Sequence, residues 1–433
     1  MARSAVAART AVGRRHLALE MIKTVDAPAN LYFERAEGPY LYDADGNRYI
    51  DMLMGFGVHL LGHRPPEVEE AVRAQMGRGW HFGLNNTLQG ELAQQLAELS
   101  LGQEKVLFCG SGSEATYYGC RVARAFTGRT RVAVFDGSYH GSHDYALVKA
   151  APGSPRERPA PTLFGSGIPA SIRDETMLVL PFRDPNAFEL IREYGSDLAA
   201  VLVQPVQNNL PRLDSGWFLQ GLREACDEVG ALLFFDEVVT GLRISLRGAQ
   251  GYFGVRPDLT AYGKAIGGGL PVGALAGRAD VMELFPRSNE QGGVFSSGTF
   301  NANPLTVAAG LATVTHLRSN EALVYPGLET AGRALSEDVN TFAEERQMNV
   351  RLHQAGSMLY LAFQRRPMES SRDQEPVEKQ VLDDFFMHML VAGVLMPGQR
   401  MILLSAAHTA ADIAAVAAAI RHSLGSLRED GLL

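Results

Sequence analysis

Cysteine is scarce in this chain: three residues among 433, at Cys109, Cys120 and Cys226. Three scattered thiols cannot build a disulfide framework and lack the paired spacing of a zinc site, which fits buried thiols in a reducing, cytoplasmic compartment. No apolar run approaches the roughly 20 residues that span a bilayer, so no membrane partner is expected. Positive charge is in deficit, with 40 Lys and Arg against 48 Asp and Glu and a formal net charge of −8. Without a basic stripe or a basic-aromatic array, nucleic acid is not an expected partner either. Small-molecule chemistry remains the leading class. There is no internal repeat, and the length exceeds one ordinary core, which implies a large domain and a smaller one.

The opening MARSAVAARTAVGRRHLALEMIK is rich in Ala and Arg and has no acid before Glu20. That composition resembles a transit peptide but contains no apolar core for secretion, so it reads as an amphipathic or frayed helix. GPYLYDADGNRYIDML (residues 38–53) reads as two strands joined at Asp-Gly-Asn. From there to about residue 320, apolar strand candidates alternate with helical stretches such as 114–126 and 217–229. The strand candidates are KVLFC (105–109), RVAVF (131–135), MLVLP (177–181), AAVLVQ (199–204), ALLFF (231–235) and LTAYG (259–263). The alternation predicts an α/β fold with a mostly parallel sheet buried on both faces. Residues 149–173 are dense in Pro, Gly and Ser and read as a structureless insert, with 152–169 a mobile flap over the substrate entrance. Strand candidates at 358–363 and 401–405 and a final helix over 409–427 suggest a smaller α+β domain. The expected division is residues 1–56 contributing to the small domain, 57–320 forming the large one, and 321–433 completing the small one.

Ligands of open α/β sheets collect at the carboxyl ends of strands, and three unusual clusters fall there. In FCGSGSEAT (108–116) a strand runs through Gly-Ser-Gly-Ser into a helix, which makes a phosphate cup from helix N-terminal N–H groups and small hydroxyls. The same stretch, Gly110 to Ala115, also fits G-x-G-x-x-A, and the next strand ends at Asp136, where a ribose-binding acid would stand. A nicotinamide-dependent oxidoreductase is therefore a rival reading of this turn. In ALLFFDEVVTG (231–241), Asp236 and Glu237 end an apolar strand, and a buried carboxylate there requires a partner. Arg243 is the bland partner; a protonated heterocyclic nitrogen would serve as well. In AYGKAIGGGLPVGA (261–274), Lys264 stands between an apolar strand and three glycines. A lysine so framed is poorly placed for solvation and is a candidate Schiff-base amine, with the glycines giving close approach to something bulky. Phosphate cup, buried carboxylate and amine together are what pyridoxal 5′-phosphate requires.

With these motifs, and with LGHRPPEV, RVARAFTGR, YHGSHD, GTFNANPL and LSAAHTAADI in order, the chain from about residue 32 onward resembles the class III, fold-type I pyridoxal-phosphate aminotransferases. It is most similar to the branch of the glutamate-1-semialdehyde aminomutases. The resemblance implies a cofactor on Lys264, its ring nitrogen facing Asp236, and its phosphate near Ser111, Gly112 and Ser113. It implies Tyr139 and Val238 on the two ring faces. It further implies that Thr299 reaches the phosphate of a neighbouring subunit, hence a homodimer with shared active sites. His140 and His143 lie within the family motif YHGSHD, and no metal is expected. Phe56, Gln399 and Arg400 are the candidate substrate contacts, with Arg35 and Arg243 weaker candidates for a substrate carboxylate. The chain departs from the branch where E-P-V is replaced by Gln204-Pro205-Val206, and where MPGQRMILL stands in place of a stretch carrying an active-site glutamate. The expected activity is transfer of an amino group between an amine or amino-acid donor and a keto or aldehyde acceptor, with an aminomutase as the alternative within the family.

Overall fold

A computed structural model describes residues 31–285, 293–396 and 400–433. The Ala/Arg-rich opening segment and Gln399 lie outside these residues. The architecture is α/β. Its centre is a seven-stranded sheet in the order Lys105–Cys109, Gly273–Gly277, Leu259–Gly263, Leu232–Asp236, Leu198–Val203, Arg131–Phe135, Met177–Leu180. All neighbours are parallel except Gly273–Gly277, which runs antiparallel to both strands beside it.

Every residue of Leu198–Val203 and Leu232–Asp236 is buried, because helices cover both faces of the sheet. Alternate residues serve opposite cores. Leu233 and Phe235 pack with the helix Gly216–Val229, while Leu232 and Phe234 pack with the helix Gly112–Thr127. Each fully buried Phe adds on the order of 2–3 kcal/mol of apolar transfer. That leaves the carboxyl ends of the strands as places where polar groups can stand.

Gly273–Gly277 has the sequence GALAG and no β-branched or aromatic residue, so it carries no strand signature. Its side chains are small because the Ser111 turn passes directly over it. A Cβ at Gly273 would overlap the Ser111 carbonyl, and one at Gly277 would come within 2.6 Å of Leu259 and 2.9 Å of Met282.

Phe33–Glu37, Tyr40–Asp43 and Arg48–Asp51 form an antiparallel meander. Val394–Leu395 adds to it in parallel through Ile50 and Asp51. A separate antiparallel sheet of Arg351–Ala355, Met358–Ala362 and Met401–Leu403 shares its core with the helices Glu321–Glu345 and Ala410–Glu429. Arg243 joins these parts. Fully buried, it donates from Nη2 to the Gly57 carbonyl (2.9 Å) and from Nη1 to the Leu404 carbonyl (2.9 Å) and Ser357 Oγ (3.0 Å).

The insert read as structureless contains a short hairpin, Val148–Ala150 paired with Pro161–Leu163. Proline ends the pairing at Pro161, the first residue of its strand, where a missing N–H is tolerated.

Candidate active site

At the carboxyl ends of the parallel strands lies a cavity of about 330 Å³. Its lining includes Ser111, Gly112, Ser113, Tyr139, Asp236, Val238 and Lys264, residues brought together from four different strand ends.

The phosphate-cup turn is built by helix capping. Ser111 is the N-cap of Gly112–Thr127, its Oγ accepting from Glu114 N (3.2 Å), and Glu114 Oε2 accepts from Gly110 N (2.5 Å). The N–H groups of Gly112 and Ser113, ahead of the capped Glu114, have no acceptor inside the helix and carry its positive dipole end, so they are available to an anion. Gly112 must be glycine for a packing reason: a Cβ there would stand 2.8 Å from both methyls of Val238. Gly141 is held as closely, since its Cβ would meet Ser113. Val238 and Tyr139 both line the cavity beside this turn.

Asp236 is buried and fixed from two sides. Its Oδ2 lies 2.7 Å from His140 Nδ1, and its Oδ1 accepts from Val238 N (3.1 Å). With the carboxylate as acceptor, His140 carries a proton on Nδ1. His140 Nε2 is sealed from solvent without a hydrogen-bond partner among the described residues. His140 is held in turn by its carbonyl, which accepts from Thr116 Oγ1 (2.7 Å), and Thr116 Oγ1 also meets His143 Nε2 (3.1 Å). The two histidines are thus engaged with Asp236 and Thr116. Arg243, the sequence-level candidate partner for this acidic pair, is spent on the backbone contacts above. Glu237 instead receives Ala249 N (2.6 Å), Gln250 N (2.9 Å) and Thr240 Oγ1 (2.9 Å).

Asp236 pairs in register with Ala261 on the neighbouring strand, and Lys264 follows three residues later at that strand's end. Lys264 has a left-handed backbone, φ 50°, which costs a residue with a side chain on the order of 1 kcal/mol. Burial lowers its amine to about 8; Asp236 opposes that shift and Arg243 adds to it. Roughly a tenth to a fifth of the amine is therefore neutral near physiological pH, far more than for a solvated lysine, and the neutral form is the nucleophile. The three glycines after it do not open the cavity. A Cβ at Gly267 would come within 2.6 Å of Val272, one at Gly268 within 2.5 Å of Thr313 and 2.8 Å of the Ala309 carbonyl, and Gly269 faces His59. Gly268 lets the lysine turn pack onto the helix Pro304–Ser319, while Gly267 and Gly269 admit Val272 and His59.

The remaining candidates fall elsewhere. Arg400 places its guanidinium 5.1 Å from the Tyr360 ring centroid and is absent from the described lining. Arg35 pairs with Glu37 and stacks on Tyr42. Phe56 packs against the cluster of Val206, Val239 and Met401, two residues from Val58, which does line the cavity. Thr299 is exposed, next to the exposed Phe300. Three polar lining residues were not among the sequence-level site residues: Asn208, His140, which had been noted only within the motif YHGSHD, and Gln204, which had been noted only as a departure and whose Oε1 accepts from Tyr139 N (3.3 Å).

The donor-rich turn, the fixed carboxylate and the lysine with its lowered amine are the groups that pyridoxal 5′-phosphate requires. The rival nicotinamide reading loses its acid, because Asp136 is ion-paired with Arg372. Comparison with known proteins agrees. Residues 22–421 match the family model described as aminotransferase class-III. A glutamate-1-semialdehyde 2,1-aminomutase of Pyrobaculum calidifontis is 40% identical over 413 residues, covering 93% of this chain and 90% of that protein. An omega-transaminase from Sphaerobacter thermophilus superposes with TM-score 0.91 at 33% identity, covering 98% of both chains. A transaminase with PLP bound superposes with TM-score 0.86 at 28% identity, over 98% of this chain and 99% of that one. The chain belongs to the class III aminotransferase family, and its cofactor is pyridoxal 5′-phosphate.

Proposed function

We propose that this enzyme is a transaminase that moves an amino group from an amine or amino-acid donor to a keto or aldehyde acceptor. The observation that carries the reading is the pairing of Lys264 and Asp236 at the ends of adjacent strands, opening into one cavity. Bound there, pyridoxal phosphate supplies an electrophilic carbon that accepts the amino group and a ring that withdraws electrons from the substrate carbon. Lys264 would hold that carbon at rest, and once a donor amine frees it, its Nζ would be the base and acid that moves the proton at the substrate carbon. Asp236 would keep a proton on the ring nitrogen. Ser111, Gly112 and Ser113 would bind the phosphate, and Tyr139 and Val238 would flank the ring.

The substrate end of the cavity is neutral. Lys264 and Asp236 are the only Lys, Arg, Asp or Glu among the described lining residues. Gln204 must point Oε1 at Tyr139 N, since an N–H can only donate, and its Nε2 is left as a donor without a partner among the described residues. A carboxylate bound without a cation pays its desolvation with little return. These features support a donor whose second group is uncharged, such as a simple amine or an esterified or carrier-bound amino acid. The test is a panel of matched amines with and without a carboxylate, following the half-reaction by the cofactor's absorbance. The neutral member should react about tenfold faster or more in kcat/KM. A preference for the carboxylate member would overturn this substrate assignment, and silence with every amine would overturn the transaminase reading itself.

An aminomutase is the second reading, favoured by the name of the Pyrobaculum relative. It would isomerise glutamate 1-semialdehyde without consuming an acceptor, which the same assay distinguishes.

We further propose a homodimer in a reducing, cytoplasmic compartment, with Thr299 contributed to the partner's phosphate site. Support comes from three buried free thiols and from an exposed apolar set of Trp80, Phe82, Leu84, Phe295 and Phe300 flanking Thr299 in sequence and structure. Apolar groups of this size in water mark contact surfaces. Light scattering is expected to give twice the 46.9 kDa chain mass; a monomer at micromolar concentration would remove the shared site.

A further inference from the structure

The turn that carries Tyr139 is gripped from every side. Asp136 N donates to the Leu180 carbonyl (3.0 Å), Gln207 Nε2 donates to the Asp136 carbonyl (2.8 Å) and to Ser138 Oγ (3.0 Å), and Lys149 Nζ donates to the Ser138 carbonyl. Gly137 sits at φ 79°, and a Cβ on it would overlap Ser371. The short helical turn Ser371–Asp373 from the C-terminal part of the chain therefore lies directly against the Tyr139 turn.

Arg372 projects from that contact in two directions. Its Nε is hydrogen-bonded to Asp136 Oδ2, and both groups are more than four-fifths buried. Its Nη1 donates to the carbonyls of Ser154 (2.7 Å) and Pro155 (3.2 Å), and its Nη2 to Ser154 Oγ (3.2 Å). The insert answers with an arginine of its own. Arg156 Nη1 lies 2.6 Å from Asp373 Oδ1, and Arg156 Nη2 donates to the Arg372 carbonyl (3.2 Å). Asp373 is held ready by the N–H groups of Glu369 and Ser370 (2.9 Å each). Two arginines thus cross between the insert and the C-terminal turn, and one of them ends on the residue three before Tyr139.

We infer that Arg372 is a positioning residue that fixes Tyr139 against the cofactor through Asp136 while tying down the tip of the Pro/Gly-rich insert. The inference rests on the reading of Tyr139 as the wall behind the ring. A guanidinium is suited to both tasks, since its planar fork donates in several fixed directions at once and stays charged. An ammonium reaches the carboxylate but cannot span both sets of acceptors. The insert is therefore a strap, latched to the same group that orders the cofactor wall.

Holoenzyme variants separate the two tasks. Arg372→Ala should release pyridoxal phosphate about tenfold faster or more, measured by absorbance after dilution into a cofactor trap, because a charged hydrogen bond to Asp136 is lost. It should also speed cleavage of the insert, by trypsin after Arg156 and by proteinase K, by a similar factor. Arg372→Lys should recover cofactor retention while the insert stays readily cleaved, and Asp136→Asn should lose retention on its own. Arg156→Ala, which leaves Asp136 paired, should speed cleavage of the insert by a protease of broad specificity such as proteinase K and leave cofactor release within about twofold. A role confined to anchoring the loop predicts instead that cofactor release stays unchanged in Arg372→Ala while cleavage rises. That result would overturn the inference, as would a failure of Arg372→Lys to recover retention. Cofactor release is read without turnover, so this outcome is independent of whether the transaminase assay succeeds.

Discussion

Lys264→Ala is expected to keep the fold and to lose transamination by about 10⁴-fold or more, because one side chain supplies both the covalent anchor and the proton carrier. The fold should survive because removal of a buried amine leaves no unpaired charge, and the neighbouring Ala265 and Ile266 retain their packing. In the parent enzyme, borohydride should fix the cofactor to Lys264 irreversibly, seen as a mass increment on the peptide containing it. In the variant, the increment should vanish. The rate at which apoenzyme takes up pyridoxal phosphate should also depend on pH through this amine. Burial lowers the Lys264 amine from its ordinary value of 10.5 to about 8. Only the unprotonated amine attacks, so uptake should rise about tenfold per pH unit below that value and flatten above it. A midpoint near 10 would mean that the lysine is solvated in the apoenzyme. An increment on any other lysine would remove Lys264 from the mechanism.

Asp236→Asn should lower turnover about 10²-fold or more, in line with the loss of a preorganised charge at a reacting centre. The substitution preserves shape: an amide carbonyl can still accept from His140 Nδ1 or from Val238 N, the two donors that fix the carboxylate. What disappears is the negative charge that keeps the ring nitrogen protonated, and with it the ring's capacity to draw electrons from the substrate carbon. Loss should therefore fall on kcat more than on cofactor affinity, and the absorbance of the bound cofactor should report an unprotonated ring. Turnover within a few-fold of the parent would show that the ring nitrogen has another partner.

Much of this site is legible in sequence because each participant follows directly on a strand. The strands at 105–109, 232–236 and 259–263 are apolar enough to be recognised, and the polar residue that ends each one is marked by its surroundings. The clusters GSGSE, DEVV and GKAIGGG announce themselves as polar or glycine-rich breaks in buried runs. What the local pattern cannot supply is the purpose of each break. The glycines after Lys264 suggested room for a ligand, whereas they admit Val272, the helix Pro304–Ser319 and His59. The strand Gly273–Gly277 passed unrecognised because its small residues answer to a crossing backbone, a requirement with no local signature. Arg400 and Arg243 carried the right charge for substrate or carboxylate, yet one stacks on Tyr360 and the other binds three backbone and hydroxyl oxygens.

The sequence by itself determined the alternation of apolar strands and helices and the class of cofactor, and it marked a lysine, an acid and a Gly/Ser turn at strand ends as the candidates to hold it. These depend on residue type and on spacing within one strand-to-helix unit, where the physics is local. Only the tertiary structure decided what lies between units. It paired Asp236 with His140 across 96 positions of sequence, and it set Arg372 on Asp136 across 236. It buried Lys264 deeply enough to lower its amine, and it engaged Arg243 with backbone and hydroxyl oxygens and Arg400 with the Tyr360 ring. Desolvation and ion pairing depend on which distant groups share a low-dielectric space, and that is settled only when the sheet has closed beneath its helices.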